Sequence, residues 1–240
     1  MRFGLASLAA VTLLAAGLRW FRIDAQSLWY DEGISAHQLT RSFGEILGAT
    51  ALDTHPPLYY WTLKAWGETV GASELGLRSL SAVCGVAAVV LTWLLGRRLF
   101  GPFVATVAAI LLAVAPLAVY YSQEVRMYAQ VTALGLLAVF AYACTLRTRL
   151  TANGYVTGNG PTGRYPDDGP AARSKHPADT GAPTDRPANA AHVPIGWYVL
   201  YALAAIATLY TQYLGAAFLV ASNLHALVWW FERSRRDWLR

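Results

Sequence analysis

Two adjacent carboxylates, Asp31 and Glu32, follow the aromatic pair Trp29-Tyr30 shortly after the first apolar segment of the sequence ends. Neighbouring side chains point in different directions in a helix or a strand, so one carboxylate can face a substrate while the other orients a helix start or meets a counter-charge. A carboxylate at the edge of a low-dielectric lipid phase is suited to general-base chemistry, which makes Asp31 a candidate base. The alternative is a solvated loop acid or a helix cap.

A second cluster places Asp53 and His55 directly before two prolines and an aromatic stretch. The prolines favour an extended approach followed by a helix start, which suits a segment that lies in a membrane interface. Asp53 and His55 could bind a phosphate, a metal ion or a sugar hydroxyl, and the alternative is a capping acid beside a structural histidine. A single Asp-x-His pair is a weak metal signature, so a divalent metal stays an open hypothesis.

A third cluster combines Glu124, Arg126 and Tyr128 after a proline, Pro116, that loosens the preceding helix. If the segment is helical, Glu124 and Tyr128 share one face and Arg126 points away from them. Ionised groups at the edge of hydrocarbon are costly unless they are paired or used. The planar donors of Arg126 suit the phosphate of a lipid headgroup, whereas pairing with Glu124 or snorkelling into the interface are the structural alternatives.

The elements that must position these clusters are apolar helices. Of the 240 residues, 55% are hydrophobic and 14% are charged, which is too little polar surface for a water-soluble domain. The expected fold class is an all-α, polytopic membrane bundle of about six transmembrane helices. The predicted spans are residues 3–21, 80–99, 103–121, 127–146, 195–213 and 214–231. The first is expected to be a retained helix because no tidy small-x-small cleavage site follows its apolar centre.

The spans divide the chain into three parts. Residues 1–146 form an N-terminal transmembrane region whose long first loop, 22–77, is expected to hold short interfacial helices and the catalytic clusters. Residues 147–194 contain most of the chain's 11 prolines and few large apolar residues, which predicts a disordered linker. Residues 195–240 form a transmembrane hairpin with a basic tail.

Arginine and lysine are concentrated in the segments on the N-terminal side of the predicted membrane. The positive-inside rule therefore predicts a multi-pass protein of the cell (plasma) membrane with a cytoplasmic N-terminus and a cytoplasmic linker. All three clusters then face outward, which suggests a single site. The net charge of +5 forms no basic face, which excludes nucleic acid as a partner. Cys84 and Cys144 lie in apolar segments, where they indicate neither a disulfide framework nor a zinc site.

Four spaced motifs occur in an order typical of one group of membrane enzymes: Trp29-Tyr30-Asp31-Glu32, DTHPPLYY at 53–60, Arg78-x-x-Ser81 and YSQEVRMYA at 121–129. Over residues 27–146 the chain resembles the bacterial and archaeal relatives of protein O-mannosyltransferases and aminoarabinose transferases. These are glycosyltransferases of the GT-C fold, grouped as glycosyltransferase families 39 and 83. The stretch LYTQY at 209–213 resembles a further motif of the family, with Gln212 where histidine is expected.

The resemblance implies transfer of a sugar from a polyprenyl-phosphate donor to an acceptor hydroxyl on the outer face of the membrane. It implies that Asp31 is the catalytic base or an acceptor-binding carboxylate, with Glu32 as its support. Arg126 would be the main ligand of the donor phosphate, since a phosphate leaving group needs cationic stabilisation. An inverting displacement is expected from the fold analogy. The acceptor, a protein or a glycolipid, is left open, and no cofactor is implied beyond the open divalent metal.

Further residues are expected to bind the substrate in the same cavity: Asp53, His55, Lys64, Glu124 and Tyr128. Family members are longer and have more spanning helices, so a second hypothesis is a truncated, non-catalytic membrane subunit that keeps the fold and binds lipid-linked sugar. A small transporter is a third hypothesis. It predicts ionisable residues near the middle of the bilayer, and the apolar segments contain almost none.

Overall fold

The structure is a computed structural model that describes residues 2–51, 53, 55–152 and 193–238. Side chains are described for residues 4–51, 53, 55–146 and 193–228. Within these ranges the secondary structure consists of ten α-helices and two short 3₁₀ turns, and the same ranges contain no strand. The all-α class predicted from the sequence is therefore confirmed.

Three helices form the segment that follows α1 (Arg2–Trp20): α2 (Tyr30–His37), α3 (Phe43–Thr50) and α4 (Leu58–Val70). Helix α3 begins with a capping box, because the Ser42 hydroxyl accepts from the Glu45 amide while the Glu45 carboxylate accepts from the Ser42 amide. Helix α4 starts directly after the two prolines and ends at Gly71, whose φ of 93° favours glycine. The loop predicted to hold short helices does hold them.

Two helices of the described residues are long and apolar enough to cross a bilayer: α5 (Glu74–Leu99) and the portion Tyr128–Leu146 of α8 (Tyr128–Ala152). Four further apolar helices are shorter: Gly4–Trp20, Pro102–Val114, Ile195–Thr211 and Tyr213–Val228. Helix length thus supports two of the predicted spans, and the bundle of six is not confirmed.

The predicted span 103–121 is divided at Pro116 into α6 (Pro102–Val114) and α7 (Pro116–Tyr121). Ala115 between them has a ψ of 120°, because a proline ring disfavours helical backbone in the residue before it. Proline also lacks the N–H that would bond to the Leu112 carbonyl. An α-helix of the 13 residues of α6 is about 20 Å long, which is less than the hydrocarbon thickness of about 30 Å.

The C-terminal part contains α9 (Ile195–Thr211) and α10 (Ala216–Trp238), joined by the 3₁₀ turn Tyr213–Gly215. These helices occupy the two apolar segments, 195–213 and 214–231, that the sequence predicts to form a transmembrane hairpin. Helix α8 continues to Ala152, which is inside the segment predicted as a disordered linker. The rest of that prediction, residues 153–192, lies outside the described residues.

One apolar core forms where α1, α5 and α6 meet. Its members are Val11, Ala15, Val89, Trp93, Ala105, Ala109 and Ala113. The three alanines of α6 recur every fourth residue and present a smooth face of that helix to the large Trp93 ring. At the same contact an added Cβ on Gly96 would lie 2.9 Å from the Ala105 Cα atom, so glycine permits the close approach of α5 and α6.

A second core holds in place the segment between α1 and α5, residues 21–73, which the sequence predicts to lie at the outer face and which we call the outer segment. It joins α3, α4, the start of α5 and the turn 122–127 through Ile46, Tyr59, Tyr60, Leu63, Leu77, Leu80, Val125 and Met127. This core packs the short helices against the ends of the long ones. Leu28 and Ala36, which flank the first cluster, pack against this core as partly buried residues, so all three segments that carry candidate site residues meet around it.

Candidate active site

A buried ion pair joins α2 to α5. Arg78 donates from Nε to Glu32 Oε1 at 2.9 Å and from Nη2 to Glu32 Oε2 at 2.6 Å, which makes the contact bidentate. Both side chains are buried. Arg78 also donates to the carbonyls of Ile23, Gln26 and Ser27. The guanidinium thereby fixes the connection between α1 and α2 as well as the start of α2.

Both carboxylate oxygens of Glu32 have partners within the fold. In addition to Arg78, Glu32 accepts from the Val125 amide at 2.8 Å and from the Trp29 amide at 3.3 Å. A buried carboxylate with these partners holds its neighbours in place and is not free to contact a substrate. Glu32 therefore links α2, α5 and the turn 122–127, and its catalytic role stays a prediction.

The neighbouring carboxylate lies beside the arginine of the third cluster. Arg126 Nη2 is 3.7 Å from Asp31 Oδ2, and the Asp31 side chain is 36% exposed whereas that of Arg126 is 10% exposed. The Arg126 guanidinium also lies over the Tyr128 ring, 5.8 Å from its centroid. Asp31 and Arg126, predicted from separate motifs, are thus adjacent in the structure.

Arg126 has a hydrogen-bond donor without a partner among the described residues. Its buried Nε atom has no hydrogen-bond partner there. A buried donor without a partner costs about 1–3 kcal/mol, so native proteins rarely keep one without a reason. The backbone at this position is nevertheless fixed, because Ser81 Oγ donates to the Arg126 carbonyl at 3.2 Å.

Arg78 is a residue of the site to which the sequence alone assigned no role, although the Arg78-x-x-Ser81 motif contributed to the family resemblance. In the structure both residues of that motif hold parts of the site in place. Arg78 binds the Glu32 carboxylate, and Ser81, one turn further along α5, binds the backbone of Arg126. The signal available in the sequence was a charged residue close to the start of a long apolar helix. Such a residue is expected to be paired or used.

Tyr60 of α4 connects the second cluster to this pair. Its side chain is buried, and burial raises the pKa of the Tyr60 hydroxyl, with Arg126 opposing the shift and with Asp53 and Asp31 adding to it. Tyr60 therefore lies within electrostatic range of all three charged groups. Asp53 Oδ1 lies 3.4 Å from His55 Nδ1. Both side chains are partly exposed and precede α4.

Lys64 follows Tyr60 by one turn of α4, and its ammonium group is turned to other partners. It donates to the Leu39 carbonyl at 3.0 Å and lies 3.0 Å from Glu68 Oε1. The ring of Phe43 lies 5.7 Å from the same ammonium nitrogen. The described contacts of Lys64 thus tie α4 to the segment between α2 and α3, and its predicted place in the substrate cavity stays untested.

Glu124 does not share a helical face with Tyr128. Helix α8 begins only at Tyr128, and residues 122–127 form a non-helical turn, so the predicted one-turn spacing does not apply. Within this turn the Val125 amide donates to the buried Glu32 carboxylate instead of to a helical carbonyl. Glu124 lines a cavity beside the Glu32–Arg78 pair, and burial raises the pKa of the Glu124 carboxyl.

No group of three or more His, Cys, Asp or Glu side chains within the described residues could hold a metal ion. Neither Cys84 nor Cys144 takes part in a disulfide within the part of the chain that the structure describes. The site defined by the described side chains is a carboxylate–arginine pair, backed by a buried ion pair, at the ends of long apolar helices. Together with the helical fold, these features define an all-helical protein with a polar site at one end of two helices that are long and apolar enough to cross a bilayer.

Residues 54–160, somewhat less than half of the chain, match the family model of the dolichyl-phosphate-mannose-protein mannosyltransferases. The chain is thus partly mannosyltransferase-like, of the GT-C type, and the resemblance inferred from its motifs is confirmed to that extent. No curated protein and no solved structure gives a significant match. The matched segment includes Arg78, Arg126 and Tyr128, whereas Asp31 and Glu32 precede it. The family points to a membrane glycosyltransferase.

Proposed function

We propose that the protein transfers a sugar from a polyprenyl-phosphate donor to an acceptor hydroxyl on the outer face of the cell membrane. The observation that carries the proposal is the buried Arg126, whose Nε atom lacks a hydrogen-bond partner among the described residues and whose Nη2 atom lies 3.7 Å from Asp31. An arginine with unused donors beside an accessible carboxylate suits the two halves of a glycosyl transfer.

In this mechanism Arg126 binds the phosphate of the donor and stabilises the negative charge that grows as the bond between the sugar carbon and the phosphate oxygen breaks. The acceptor hydroxyl attacks the same carbon from the opposite side, and Asp31 takes its proton. The phosphate leaves with the electron pair of the broken bond. Asp31 is the more exposed partner of the pair, which leaves it accessible to an acceptor from the aqueous side.

Glu32 and Arg78 are positioning residues in this scheme. Glu32 fixes the first turn of α2, where Asp31 lies, and also the Val125 amide, one residue before Arg126. The bidentate contact with Arg78 keeps that carboxylate in one orientation. Asp53, His55, Lys64 and Tyr128 would line the donor cavity around the pair.

The proposed arrangement in the membrane retains six spanning segments with a cytoplasmic N-terminus. The shorter apolar helices α1, α9 and α10, and α6 together with α7, would complete the bundle around α5 and α8. In this arrangement Arg97 and Arg98 at the end of α5 face the cytoplasm, whereas the start of α5 and the turn 122–127 lie at the outer face. The transmembrane region would comprise residues 1–146 and the linker residues 147–194. The hairpin would comprise residues 195–240.

The test uses the purified full chain in lipid nanodiscs with polyprenyl-phosphate-mannose as the donor. Binding of the donor is measured first, and mannose transfer to a membrane extract second. Arg126→Ala is expected to weaken donor binding at least tenfold, because the charge-assisted hydrogen bonds to phosphate are lost. Asp31→Asn is expected to keep donor binding and to lose transfer.

Arg41→Ala provides the control, since it removes an arginine of the outer segment whose described partner is Gln38. Equal donor binding by the wild type and Arg126→Ala would contradict the proposal. Donor binding without any transfer by the wild type would replace it with the second hypothesis, a non-catalytic subunit that binds lipid-linked sugar.

A further inference from the structure

The cavity that Glu124 lines has a volume of about 550 Å³ and lies on the side of the Glu32–Arg78 pair that faces the end of α1. We call it the Glu124 cavity. Its walls come from the connection between α1 and α2, from Glu32 and Arg78, and from residues 120–124. The volume lies within the range of about 300–1,000 Å³ that is typical of small-molecule sites. Neither Asp31 nor Arg126 lines it.

The charges in the Glu124 cavity balance. Arg78 is neutralised by Glu32 at 2.6 Å, which leaves Glu124 and Arg22 as the remaining charged groups of the lining. Glu124 is 6% exposed and makes no ion pair with the described residues within 4.0 Å. An anion would face the Glu124 carboxylate and a cation would face Arg22. The cavity therefore favours an uncharged polar ligand.

The remaining lining combines hydrogen-bonding groups with aromatic surfaces. Gln26 is exposed and offers an amide that both donates and accepts, and the Tyr120 hydroxyl is a second group of the lining that can donate or accept. The rings of Trp29 and Tyr120 are about half exposed. Carboxylate, amide and guanidinium groups match ligand hydroxyls, while flat aromatic faces match the C–H surface of a sugar ring.

We propose that the Glu124 cavity binds a saccharide, with Glu124 accepting hydrogen bonds from its hydroxyls and Trp29 packing against its ring. The same chemistry could come from the sugar of the lipid-linked donor or from a glycan that accepts the transferred sugar. That choice rests on the proposed transferase function, whereas saccharide binding by the cavity does not.

The experiment measures binding of methyl α-mannoside to the full chain in nanodiscs by calorimetry. Wild-type protein is expected to bind saturably, and both Glu124→Ala and Trp29→Ala are expected to weaken binding at least tenfold. Asp24→Asn is the matched control, because Asp24 is an exposed carboxylate of the same connection that does not line the cavity. Thermal unfolding of each variant verifies that the fold is retained.

Absence of saturable binding by the folded wild type would overturn the proposal. Equal weakening by Asp24→Asn and Glu124→Ala would do so as well, because it would indicate a general charge effect. Arg126→Ala separates the two proposals: it is expected to bind methyl α-mannoside as the wild type does while losing the lipid-linked donor. Parallel loss of both ligands in this variant would mean that the Glu124 cavity is no separate site.

Two further arms identify the source of the saccharide. If the cavity takes the sugar of the donor, polyprenyl-phosphate-mannose displaces methyl α-mannoside, and polyprenyl phosphate without sugar does not. If it takes an acceptor, donor and methyl α-mannoside bind together, and methyl α-mannoside becomes mannosylated in a transfer assay. Saccharide binding without any transfer would contradict the proposed function and leave this inference standing.

Discussion

Glu32 and Arg78 show how one buried contact controls several residues. Each is fully or almost fully buried, and each has its polar atoms engaged by the other or by backbone groups of the adjoining segments. A buried ion pair adds little net stability over an apolar pair, but removal of one partner leaves a buried charge uncompensated. The pair therefore serves to fix the geometry around Asp31 and Arg126.

Removal of either partner is expected to destabilise the protein strongly. Glu32→Met and Arg78→Met should each lower the free energy of unfolding by about 3–5 kcal/mol, whereas the Glu32→Met/Arg78→Met double variant should lose less than the sum of the two single variants. Reversible unfolding in detergent micelles measures the three values. A double variant that is as unstable as the sum of the single variants would show that the two side chains act independently.

The stability of the folded protein is expected to depend on pH through Glu124. Burial raises the pKa of its carboxyl in the folded state, so the ionised form is less favourable in the fold than in the unfolded chain. The associated loss of stability is absent at pH values below the ordinary glutamate pKa and is complete once the pH exceeds the raised value.

Glu124→Gln should therefore unfold at a higher temperature than the wild type at pH 7 and lose this advantage as the pH falls through the raised pKa. Unfolding midpoints measured across the pH range provide the test. The exposed Asp24→Asn serves as the control and should not reproduce the pattern.

At the scale of the helices, Arg19 compensates for the break at Pro116. Arg19 of α1 is buried, and its Nη atoms donate to the carbonyls of Ala113 at 3.2 Å and Leu112 at 3.5 Å. These carbonyls face the gap between α6 and α7, where proline supplies no N–H. Arg19 Nε also donates to Ser122 at 3.2 Å, which joins α1 to the turn 122–127.

Arg19→Ala is expected to lower the free energy of unfolding by about 1–3 kcal/mol for each carbonyl that is left buried without a partner. A Pro116→Ala change restores an N–H at the position that can bond to Leu112, so it should recover part of the loss in the double variant. Unfolding measurements on the two single variants and the double variant test this coupling. Additive losses would contradict the compensation between Arg19 and Pro116.

The contact of α5 with α6 depends on Gly96. An added methyl group there would meet Ala105 at 2.9 Å, so Gly96→Ala should cost about 1–3 kcal/mol through overpacking. Gly17→Ala is the matched control because an added Cβ at Gly17 has no atom within 4 Å. The control should be neutral or slightly stabilising, since alanine has the higher helix propensity. Equal effects of the two changes would disprove close packing at Gly96.

For the molecule as a whole, the proposed topology places the outer segment and the turn between α5 and α6 on opposite sides of the membrane. Cys84 and Cys144 are first replaced by alanine so that single cysteines can be introduced. Gly44→Cys, in α3, is expected to react with a membrane-impermeant maleimide on intact cells. Phe100→Cys, 69% exposed after α5, should react only after permeabilisation. Labelling of both positions on intact cells would contradict the topology.

The sequence alone determined the helical class, the short helices of the outer segment and the family resemblance, because hydrophobic run length, prolines, capping residues and spaced motifs are local signals. It also predicted that all three clusters lie on one side of the membrane, and this sidedness and the roles of Asp31 and Arg126 stay predictions.

Only the tertiary structure decided which charged groups pair. Glu32 is separated from Arg78 and Val125 by long stretches of sequence, and no local pattern records that its carboxylate joins them. That contact accompanies the non-helical turn at 122–127, in which Glu124 lies outside the expected helix and lines a cavity together with Glu32 and Arg78. Burial of an ionised group is stable only when partners from elsewhere in the chain reach it, so its geometry depends on the fold as a whole.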